Sequence, residues 1–276
     1  RAQSGGEVIT VHDFEQGSTE WLDARLGMVT ASMVGRLISI QPPDALTVDC
    51  PVCHAVEGDQ CFSVARKAPT PIKTAHEIRT LRAAELPPIY GPAKTDTAKS
   101  MAATLVAERI NGWGDPVYVN ADMMRGKLDE PLARQVYAKH YAPVHEVGLI
   151  VRDDWGFRLG YSPDGLVGDV GLIEVKSRRP KNHLTTILAD EVPVENMAQI
   201  QAGLLVSGRP WCDYISYSGG MSLWRKRVWP DPAWQGAIVA AVRAFEATAA
   251  EMVATYTERT AGLPATERST YDLEIV

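Results

Sequence analysis

The sequence contains no run of about 18 consecutive apolar residues, so it predicts no membrane-spanning helix. The amino terminus also lacks the basic and apolar regions of a secretory signal peptide. Its first six residues, RAQSGG, include no initiating Met and are expected to be a processed end outside the fold. Cysteine is scarce, with four in 276 residues, and the missing signal peptide favours a cytoplasmic protein without disulfides.

An excess of positive charge is also absent, because 28 Lys and Arg stand against 34 Asp and Glu, for a formal net charge of −6. The whole molecule is therefore not suited to attracting nucleic acid, and any groove for it has to be local. Two short basic clusters are candidates, with ordinary solvated charge as the alternative: Arg178, Arg179 and Lys181 in one, and Arg225, Lys226 and Arg227 in the other.

The segment at 160–180, GYSPDGLVGDVGLIEVKSRRP, combines a turn, a hairpin and a strand with charged residues. Side chains alternate along a strand, so Glu174 and Lys176 in LIEVK share one face. SPDG is a turn signal, and a hairpin across VGDVG folds Asp164 back toward that face. The sequence therefore predicts that two carboxylates and an ammonium group converge on one point.

This convergence predicts metal-dependent phosphodiester hydrolysis. Carboxylates suit Mg²⁺, which prefers hard oxygen ligands. Lys176 can align a metal-bound water and offset charge that develops on a phosphate. The alternative is a surface hairpin with solvated charges. It is disfavoured because Leu172, Ile173 and Val175 fit a strand covered by helices, where an unpaired Glu or Lys is costly.

Cysteine spacing indicates a separate zinc site. Three thiolates and one imidazole, enough for tetrahedral zinc, come from Cys50, Cys53, Cys61 and His76. His76 is expected on a short helix, AHEIRTLRAAEL, and His54 is a competing fourth ligand whose adjacency to Cys53 makes joint chelation awkward. A disulfide or buried thiols are the alternatives, and an iron–sulfur cluster is disfavoured because Cys212 is isolated in a strand-like segment.

The order of helix and strand patterns predicts an α/β fold with a central mixed β-sheet flanked by helices and a small zinc-binding insertion. Helical patterns occupy 20–38, 96–110, 121–141, 194–208 and 232–257. Strand patterns occupy 145–154, 157–163, 172–176, 211–217 and 222–230. Residues 42–94 are rich in Pro, carry three cysteines and are too few to hold a core alone. The predicted division is a discontinuous domain of 7–41 and 95–276 with an inserted module of 42–94.

Three of these helical patterns carry more specific expectations. The first is two short helices that meet near Gly27, with Thr30 or Ser32 capping the second. In 121–141, an apolar stripe is expected to face the core: Met124, Leu128, Leu132 and Val136, with Tyr137 beside it. Taken singly, Glu130 in this helix and Gln199 and Gln201 in 194–208 fit solvated helix faces.

Four blocks, in order, resemble the lambda-type phage exonucleases, or YqaJ-type viral recombinases, of the PD-(D/E)XK nuclease superfamily. The blocks are WLDARLGMVTAS, MMRGKLDEPLARQVY, SPDGLVGDVGLIEVK and MAQIQAGLLVSGRPWCDYISY. The resemblance covers about 14–40 and 95–250. Each block alone is weak, but the ordered set is specific. The cysteine-rich insertion is absent from the best-known family member and resembles small CPxC…GxxC…H modules of phage and actinobacterial proteins.

The resemblance implies a role for each site residue. The catalytic metals, Mg²⁺ or Mn²⁺, would be held by Asp164, Glu174, the carbonyl of Val175 and Glu130. Lys176 would position the attacking water, and Gln199 would line the site near the scissile phosphate. Arg25 and Ser32 match the pair that grips a 5′-terminal phosphate. Asp153 or Asp154 is a candidate for one further acidic residue, and the spacing leaves the choice between them open.

The function that the resemblance implies is 5′→3′ digestion of one strand of duplex DNA. The 3′ overhang would serve a single-strand annealing protein in recombination by a phage or prophage. A trimeric ring is also implied, although the insertion leaves the oligomeric state open. The rival hypotheses are a non-catalytic zinc-containing DNA-binding or adaptor protein and an endonuclease. The intact Asp164, Glu174 and Lys176 argue against the first, and the pair of Arg25 and Ser32 argues against the second.

Overall fold

The structure is a computed structural model that describes residues 9–65, 68–116 and 119–268. Its strands are β1 (Ile9–His12), β2 (Ile38–Gln41), β3 (Ile89–Pro92), β4 (Leu149–Arg152), β5 (Leu159–Tyr161), β6 (Gly165–Val167), β7 (Gly171–Ser177), β8 (Trp211–Tyr217) and β9 (Trp224–Val228). Its α-helices are α1 (Thr19–Arg25), α2 (Ala31–Val34), α3 (Glu77–Ala84), α4 (Asp96–Asn111), α5 (Ala121–His140), α6 (Pro180–Ala189), α7 (Val194–Ser207) and α8 (Pro232–Thr260). The expected processed end, residues 1–6, lies outside the described residues.

A mixed four-stranded sheet in the order β6-β7-β8-β9 confirms the predicted fold class. β7 and β8 run parallel, whereas the β6–β7 and β8–β9 pairs are antiparallel. β7 is almost wholly buried, as its apolar neighbours predicted. Gly165 pairs with Ile173 in the β6–β7 hairpin, so the hairpin returns Asp164 to the level of Glu174.

A second sheet, ordered β1-β4-β5, is antiparallel and leads directly into the first. β5 ends at Tyr161 and β6 begins at Gly165, so only 162–164 join the two sheets. The main core lies where α7 packs against β4, β5 and β8, with α8 behind it. Ile200 and Leu204 of α7 and Ile238 and Val242 of α8 are among its buried side chains.

Local capping explains where several helices begin. The Ser18 hydroxyl accepts a hydrogen bond from the Trp21 N–H at the start of α1, and Thr95 and Asn120 cap α4 and α5 in the same way. Thr30 occupies the N-cap position of α2, as one of the two predicted candidates, but it makes no capping side-chain hydrogen bond. The α1–α2 junction falls near Gly27, as predicted.

The apolar stripe of α5 does not face the core, and that prediction is wrong. Met124, Leu128 and Leu132 are 52%, 65% and 47% exposed. The helix instead buries Ala133 and Tyr137 against the β7–β8 face, and Val136 is half-buried. Charged contacts, rather than apolar packing, hold its amino-terminal half: Arg125 donates to the Ser177 hydroxyl and Ser177 donates to Asp129.

The cysteine-rich segment emerges from a two-stranded ribbon that the sequence patterns did not predict. β2 and β3 pair antiparallel, from Ile38 opposite Pro92 to Gln41 opposite Ile89. The ribbon packs on α8, where the rings of Tyr90 and Trp234 lie 4.7 Å apart. Helix α6 was also absent from the sequence prediction. Across the described ranges, no helix has the length and apolar character needed to cross a bilayer.

Candidate active site and metal centres

The two predicted side chains of β7 lie together on one face. Lys176 Nζ donates to Glu174 Oε1 at 2.7 Å and to Gln199 Oε1 of α7 at 3.0 Å. Glu174 is fully buried. Asp164 arrives from the hairpin, and its Oδ2 accepts a 2.6 Å hydrogen bond from the Val175 backbone N–H. The structure thus brings together all four of these side chains around the middle of β7.

The cluster carries more negative than positive charge. Burial, followed by the neighbouring Glu174 and Glu130, raises the pKa of Asp164 well above its usual value. Burial and then Glu174 and Glu146 also raise the pKa of Glu130, although Arg134 opposes them. Burial would lower the pKa of Lys176, but Glu174 and Asp164 raise it, so this side chain remains an ammonium group at neutral pH. A divalent cation at this face would offset the excess negative charge.

Arg134 links Glu130 of α5 to the carboxylate cluster. Arg134 Nη1 donates to Glu130 Oε1 at 3.0 Å and also to the backbone carbonyl oxygen of Asp164. Its other terminal nitrogen, Nη2, pairs with Glu146 at 3.0 Å. The same guanidinium therefore joins the helix that carries one carboxylate to the turn that carries another.

A cavity of about 200 Å³ adjoins this cluster. Its walls come from α1, α2, α7 and the junction between the sheets: Gln16, Trp21, Arg25, Thr30, Ser32, Tyr161, Ser162 and Gln199. Gln199 also accepts from Lys176, and Tyr161 donates to Glu174 Oε2 at 3.3 Å, so the cavity and the carboxylate cluster share walls.

Arg25 supplies the positive charge of the cavity. Its guanidinium stacks on the Trp21 ring with 3.8 Å between the guanidinium carbon and the ring centroid, and it donates to Thr30 Oγ1 at 3.3 Å. Thr30 and Ser32 hydroxyls lie 3.2 Å apart. No carboxylate among the described residues forms an ion pair with Arg25. Burial lowers its pKa to about 10, with Glu108 opposing the shift, so Arg25 stays charged at neutral pH.

The turn after α1 fixes where Arg25 points. Gly27 has φ of +63°, and a Cβ there would lie 2.4 Å from Arg109 Cγ, so only glycine fits. Its N–H donates to Glu108 Oε2 at 2.8 Å, and its carbonyl oxygen accepts from Arg109 Nε at 2.6 Å. Consecutive residues of α4 thus hold both sides of this turn.

The predicted zinc ligands gather in the insertion. The ligand atoms of Cys50, Cys53, Cys61 and His76 all lie within 4.8 Å of one another. Within the described part of the chain, this is the one group of three or more Cys, His, Asp or Glu residues that meets this criterion. His54, the competing fourth ligand, is exposed and outside the group. His76 occupies the N-cap of α3 rather than a position within the helix.

Family comparisons agree with both parts of this architecture. Residues 82–210 match the model of the YqaJ-like viral recombinase domain. Over these 129 of its 276 residues, the chain is similar to that family. Residues 34–97 match the model of a putative DNA-binding phage zinc finger domain, and this match spans all the gathered cysteines and His76. The expected family resemblance and the presence of a zinc-type module are confirmed.

Two solved structures similar to the chain are of one alkaline exonuclease. The alkaline exonuclease LHK-Exo from Laribacter hongkongensis is 27% identical, with a TM-score of 0.64, and its complex with dAMP is 28% identical, also with 0.64. Each comparison covers 90% of this chain and 100% of the other. No curated protein matches the chain.

Around the carboxylate cluster, sequence reasoning missed two residues that hold the carboxylates, Arg134 and Tyr161. Arg134 stands four residues after Glu130, a helical spacing that favours their contact. Tyr161 reaches Glu174 because α7 has glycine at 203, where a Cβ would lie 2.7 Å from the Tyr161 ring. The first could have been found from the spacing. The second depends on contacts between elements distant in sequence and leaves no local signal.

Arg79 is the residue that sequence reasoning missed in the zinc module. It is fully buried and donates to the carbonyl oxygens of Val48, Val56 and Asp59 and to Cys61 Sγ at 3.3 Å. Burial would raise the pKa of Cys61, but hydrogen bonds from the His76 backbone and Arg79 bring it down to about 6. A thiolate at this position suits zinc.

The candidates for a further acidic residue, Asp153 and Asp154, and the helix residue Gln201 have other surroundings. Asp154 pairs with Arg152. In the β4–β5 ladder, Arg152 lies opposite Leu159, whereas Tyr161 lies opposite Ile150. Asp153 is exposed next to it. Gln201 donates to the Trp229 carbonyl oxygen and accepts from the Asp231 N–H, so it holds the chain before α8.

In both basic clusters, most of the charged side chains have partners within the protein. Arg225 and Arg227 both pair with the buried Asp213, and Lys226 pairs with Asp190. In the other cluster, each arginine has partners: Arg178 donates to Asn196 and Tyr214, and Arg179 pairs with Asp122. Lys181 is exposed. Ordinary surface charge, the alternative to a nucleic-acid groove, therefore fits most of these residues.

The donor set of the YqaJ-like site fits Mg²⁺. Its ligand candidates offer only oxygen, which is the donor that Mg²⁺ prefers: Glu130, Asp164, Glu174 and the carbonyl of Val175. Glu174 is buried, and Asp164 and Glu130 are half-buried. These three carboxylates stand against Lys176 and Arg134, so the remaining negative charge favours a bound cation. The sulfur-rich cluster of the insertion has the opposite preference.

Proposed function

We propose that this protein is a metal-dependent exonuclease that digests one strand of duplex DNA from its 5′ end. The observation that carries the proposal is the shared wall between the carboxylate cluster and the Arg25 cavity. Gln199 touches both, through Lys176 on one side and the cavity on the other. A site for hydrolysis and a site for a terminal phosphate are thereby adjacent. The similar LHK-Exo structures are described as those of an alkaline exonuclease.

In this proposal, Asp164, Glu174, the Val175 carbonyl and Glu130 hold Mg²⁺ or Mn²⁺. The metal, when bound, supplies Lewis-acid activation of water and of the scissile phosphate. Lys176 remains protonated beside Glu174, so it orients the attacking water and offsets charge that grows on the phosphate oxygens. Arg134 fixes the turn of Asp164 against α5, and Tyr161 fixes Glu174.

The polarity in this proposal follows from the Arg25 cavity. The Arg25 guanidinium forms no ion pair with the carboxylates that the structure describes. Beside the hydroxyls of Thr30 and Ser32, it offers donors that suit a phosphate monoester. A 5′-terminal phosphate bound there places the next phosphodiester toward Lys176. Cleavage from the 5′ end would leave a 3′ single-stranded overhang, the substrate of a single-strand annealing protein.

The insertion in this proposal is a structural zinc module, with Cys50, Cys53, Cys61 and His76 as a closed set of four ligands. β2 and β3 bracket residues 42–88, and the division into a discontinuous nuclease domain of 7–41 and 95–276 and a module of 42–94 is retained as a proposal. Residues 7, 8, 117, 118 and 269–276 of the first, and 66 and 67 of the second, lie outside the described residues. The matched family's description suggests that this module contributes to DNA binding.

Assembly and location complete the proposal. The protein acts in the cytoplasm of a bacterial host, as expected for a phage or prophage recombination enzyme. Self-association, with a trimeric ring as the implied form, is supported by the exposed apolar stripe of Met124, Leu128 and Leu132. Light scattering of the purified protein would measure its mass in solution.

The decisive experiment is digestion of linear duplex DNA labelled at either the 5′ or the 3′ end, with and without Mg²⁺. Early release of the 5′ label, full dependence on the metal and resistance of covalently closed circles would support the proposal. Cutting of closed circles would favour the endonuclease alternative. Binding of DNA ends without any cleavage under either Mg²⁺ or Mn²⁺ would favour the adaptor alternative.

A further inference from the structure

Trp21 joins the Arg25 cavity to the segment that carries Asp164. One face of its ring supports the Arg25 guanidinium at 3.8 Å. Its indole Nε1 donates to Ser162 Oγ at 2.9 Å and to the Gly148 carbonyl oxygen at 3.0 Å. Ser162 stands two residues before Asp164, so one side chain contacts both the phosphate cavity and the approach to the carboxylate.

Gln16 makes a second connection to the same segment. Its Nε2 donates to the Pro163 carbonyl oxygen at 2.9 Å and to the Val147 carbonyl oxygen at 3.2 Å. The side chain of Gln16 is otherwise exposed, so it contributes little to the core. Two side chains from the amino-terminal region therefore hold consecutive residues, Ser162 and Pro163.

The segment held in this way lies between the two sheets. Residues 162–164 follow the end of β5 and precede the start of β6, and these strands belong to different sheets. A backbone bridge joins Thr30 to Gly160 of β5, but residues 162–164 themselves lie outside both ladders. The contacts of Trp21 and Gln16 add a side-chain connection between the Arg25 cavity and this segment.

This connection matters because both phosphates belong to one DNA strand. A terminal phosphate at Arg25 and the scissile phosphate at the metal are separated by a fixed length of nucleotide. If the two sites drift relative to each other, the end still binds but the scissile bond no longer meets the attacking water. Small misplacements of this kind lower the rate of the chemical step strongly.

We propose that Trp21 and Gln16 are positioning residues that keep the end-binding cavity in register with Asp164, and that they act on kcat rather than on affinity for the end. This inference rests on the proposed function. Trp21 has a second, separable role, because its ring also orients Arg25.

Two substitutions separate these roles. Trp21→Phe keeps an aromatic ring under Arg25 but removes the indole N–H, so kcat on a 5′-phosphorylated duplex should fall about tenfold while KM changes less than about twofold. Gln16→Met keeps the side-chain length and removes the two hydrogen bonds, and should lower kcat about threefold in the same manner. Both variants should retain the preference of the wild type for 5′-phosphate over 5′-hydroxyl ends.

Trp21→Leu removes the ring as well, so it should lower kcat and also lose most of the 5′-phosphate preference. Trp113→Phe is the matched control, since Trp113 also carries a stacked arginine, Arg268 at 5.4 Å, but lies outside the cavity. Its kinetics should equal those of the wild type. Circular dichroism would check folding, and the exposed position of Gln16 keeps that variant informative even if Trp21 variants are unstable.

The outcomes distinguish this inference from the proposed function. A wild type that digests 5′-phosphorylated ends, with Trp21→Phe and Gln16→Met at wild-type kcat, would overturn the inference and leave the proposed function intact. Variants that raise KM at unchanged kcat would also overturn it, because Trp21 and Gln16 would then serve binding. A wild type with no 5′-end-dependent cleavage would overturn both.

Discussion

The carboxylate site and the zinc cluster are both suited to a metal, but they hold their ligands in different ways. At the first, the ligands come from a helix, a turn and a strand that are distant in sequence, and Lys176 competes for Glu174. At the second, all four ligands come from 27 consecutive positions, 50–76, and their atoms lie within 4.8 Å of one another. The zinc cluster is compact, whereas the carboxylates lie beside a cavity with which they share Gln199 and Tyr161 as neighbours.

The two sites therefore depend on the fold to different extents. The zinc cluster needs the buried Arg79 and a few turns, because four ligands complete a tetrahedron. The carboxylate site needs both sheets, α5 and α7 to remain in register. A catalytic metal must keep coordination positions free for water and substrate, so its ligands cannot close around it.

The largest effect should come from changing the β7 face. Glu174→Gln and Lys176→Met should each lower cleavage about a thousandfold, because one loses a metal ligand and the other the cation near the scissile phosphate. DNA-end binding and zinc content should be unchanged. Nucleotide release from duplex DNA is the measurement, with the exposed Glu191→Gln as the control. Turnover near the wild-type rate in either variant would remove these residues from the active site.

Zinc removal should separate the two regions. The protein purified without added metal should contain one Zn²⁺ per chain by elemental analysis, and the double variant Cys50→Ser, Cys53→Ser should contain none. Hydrogen exchange should then accelerate in 45–80 while β7 stays protected. The pair His76→Ala and His54→Ala tests the fourth ligand, and only the first should lose zinc. Full zinc retention in the double variant would contradict the ligand set.

A smaller effect is expected from the arginine that supports the cluster. Arg79→Met should destabilise the insertion by about 3 kcal/mol, because it leaves buried carbonyl groups without donors. Urea unfolding followed by hydrogen exchange within 45–80 would measure the loss. Arg82→Met on the exposed side of α3 is the control and should be close to neutral. Equal stability of the two variants would show that Arg79 does not organise the module.

The smallest of these effects should be at Arg25. Arg25→Lys should lower the preference for 5′-phosphate over 5′-hydroxyl ends about tenfold, because lysine lacks the planar fork and stacks less well on Trp21. Rates on the two kinds of duplex would be compared, with the exposed Arg36→Lys as the control. A wild type with equal rates on both ends would contradict the assignment of this cavity to a phosphate.

Much of this architecture could be predicted from sequence because its signals are local. Alternation in LIEVK placed Glu174 and Lys176 on one face, and cysteine spacing indicated the four residues that gather in the insertion. The apolar stripe of α5 misled the prediction, because periodicity indicates an apolar face but not what covers it. Tyr161, Arg79 and the Trp21 connection could not be predicted, since each depends on contacts between segments that are far apart along the chain.

The most direct test of this account measures cleavage and zinc content on the same samples. Wild-type protein and Glu174→Gln would be assayed for nucleotide release from 5′-labelled duplex DNA in Mg²⁺, and both would be analysed for bound zinc. The account predicts one zinc per chain in each sample and cleavage in the wild type alone. Equal cleavage by both proteins, or cleavage that follows zinc content rather than Glu174, would contradict it.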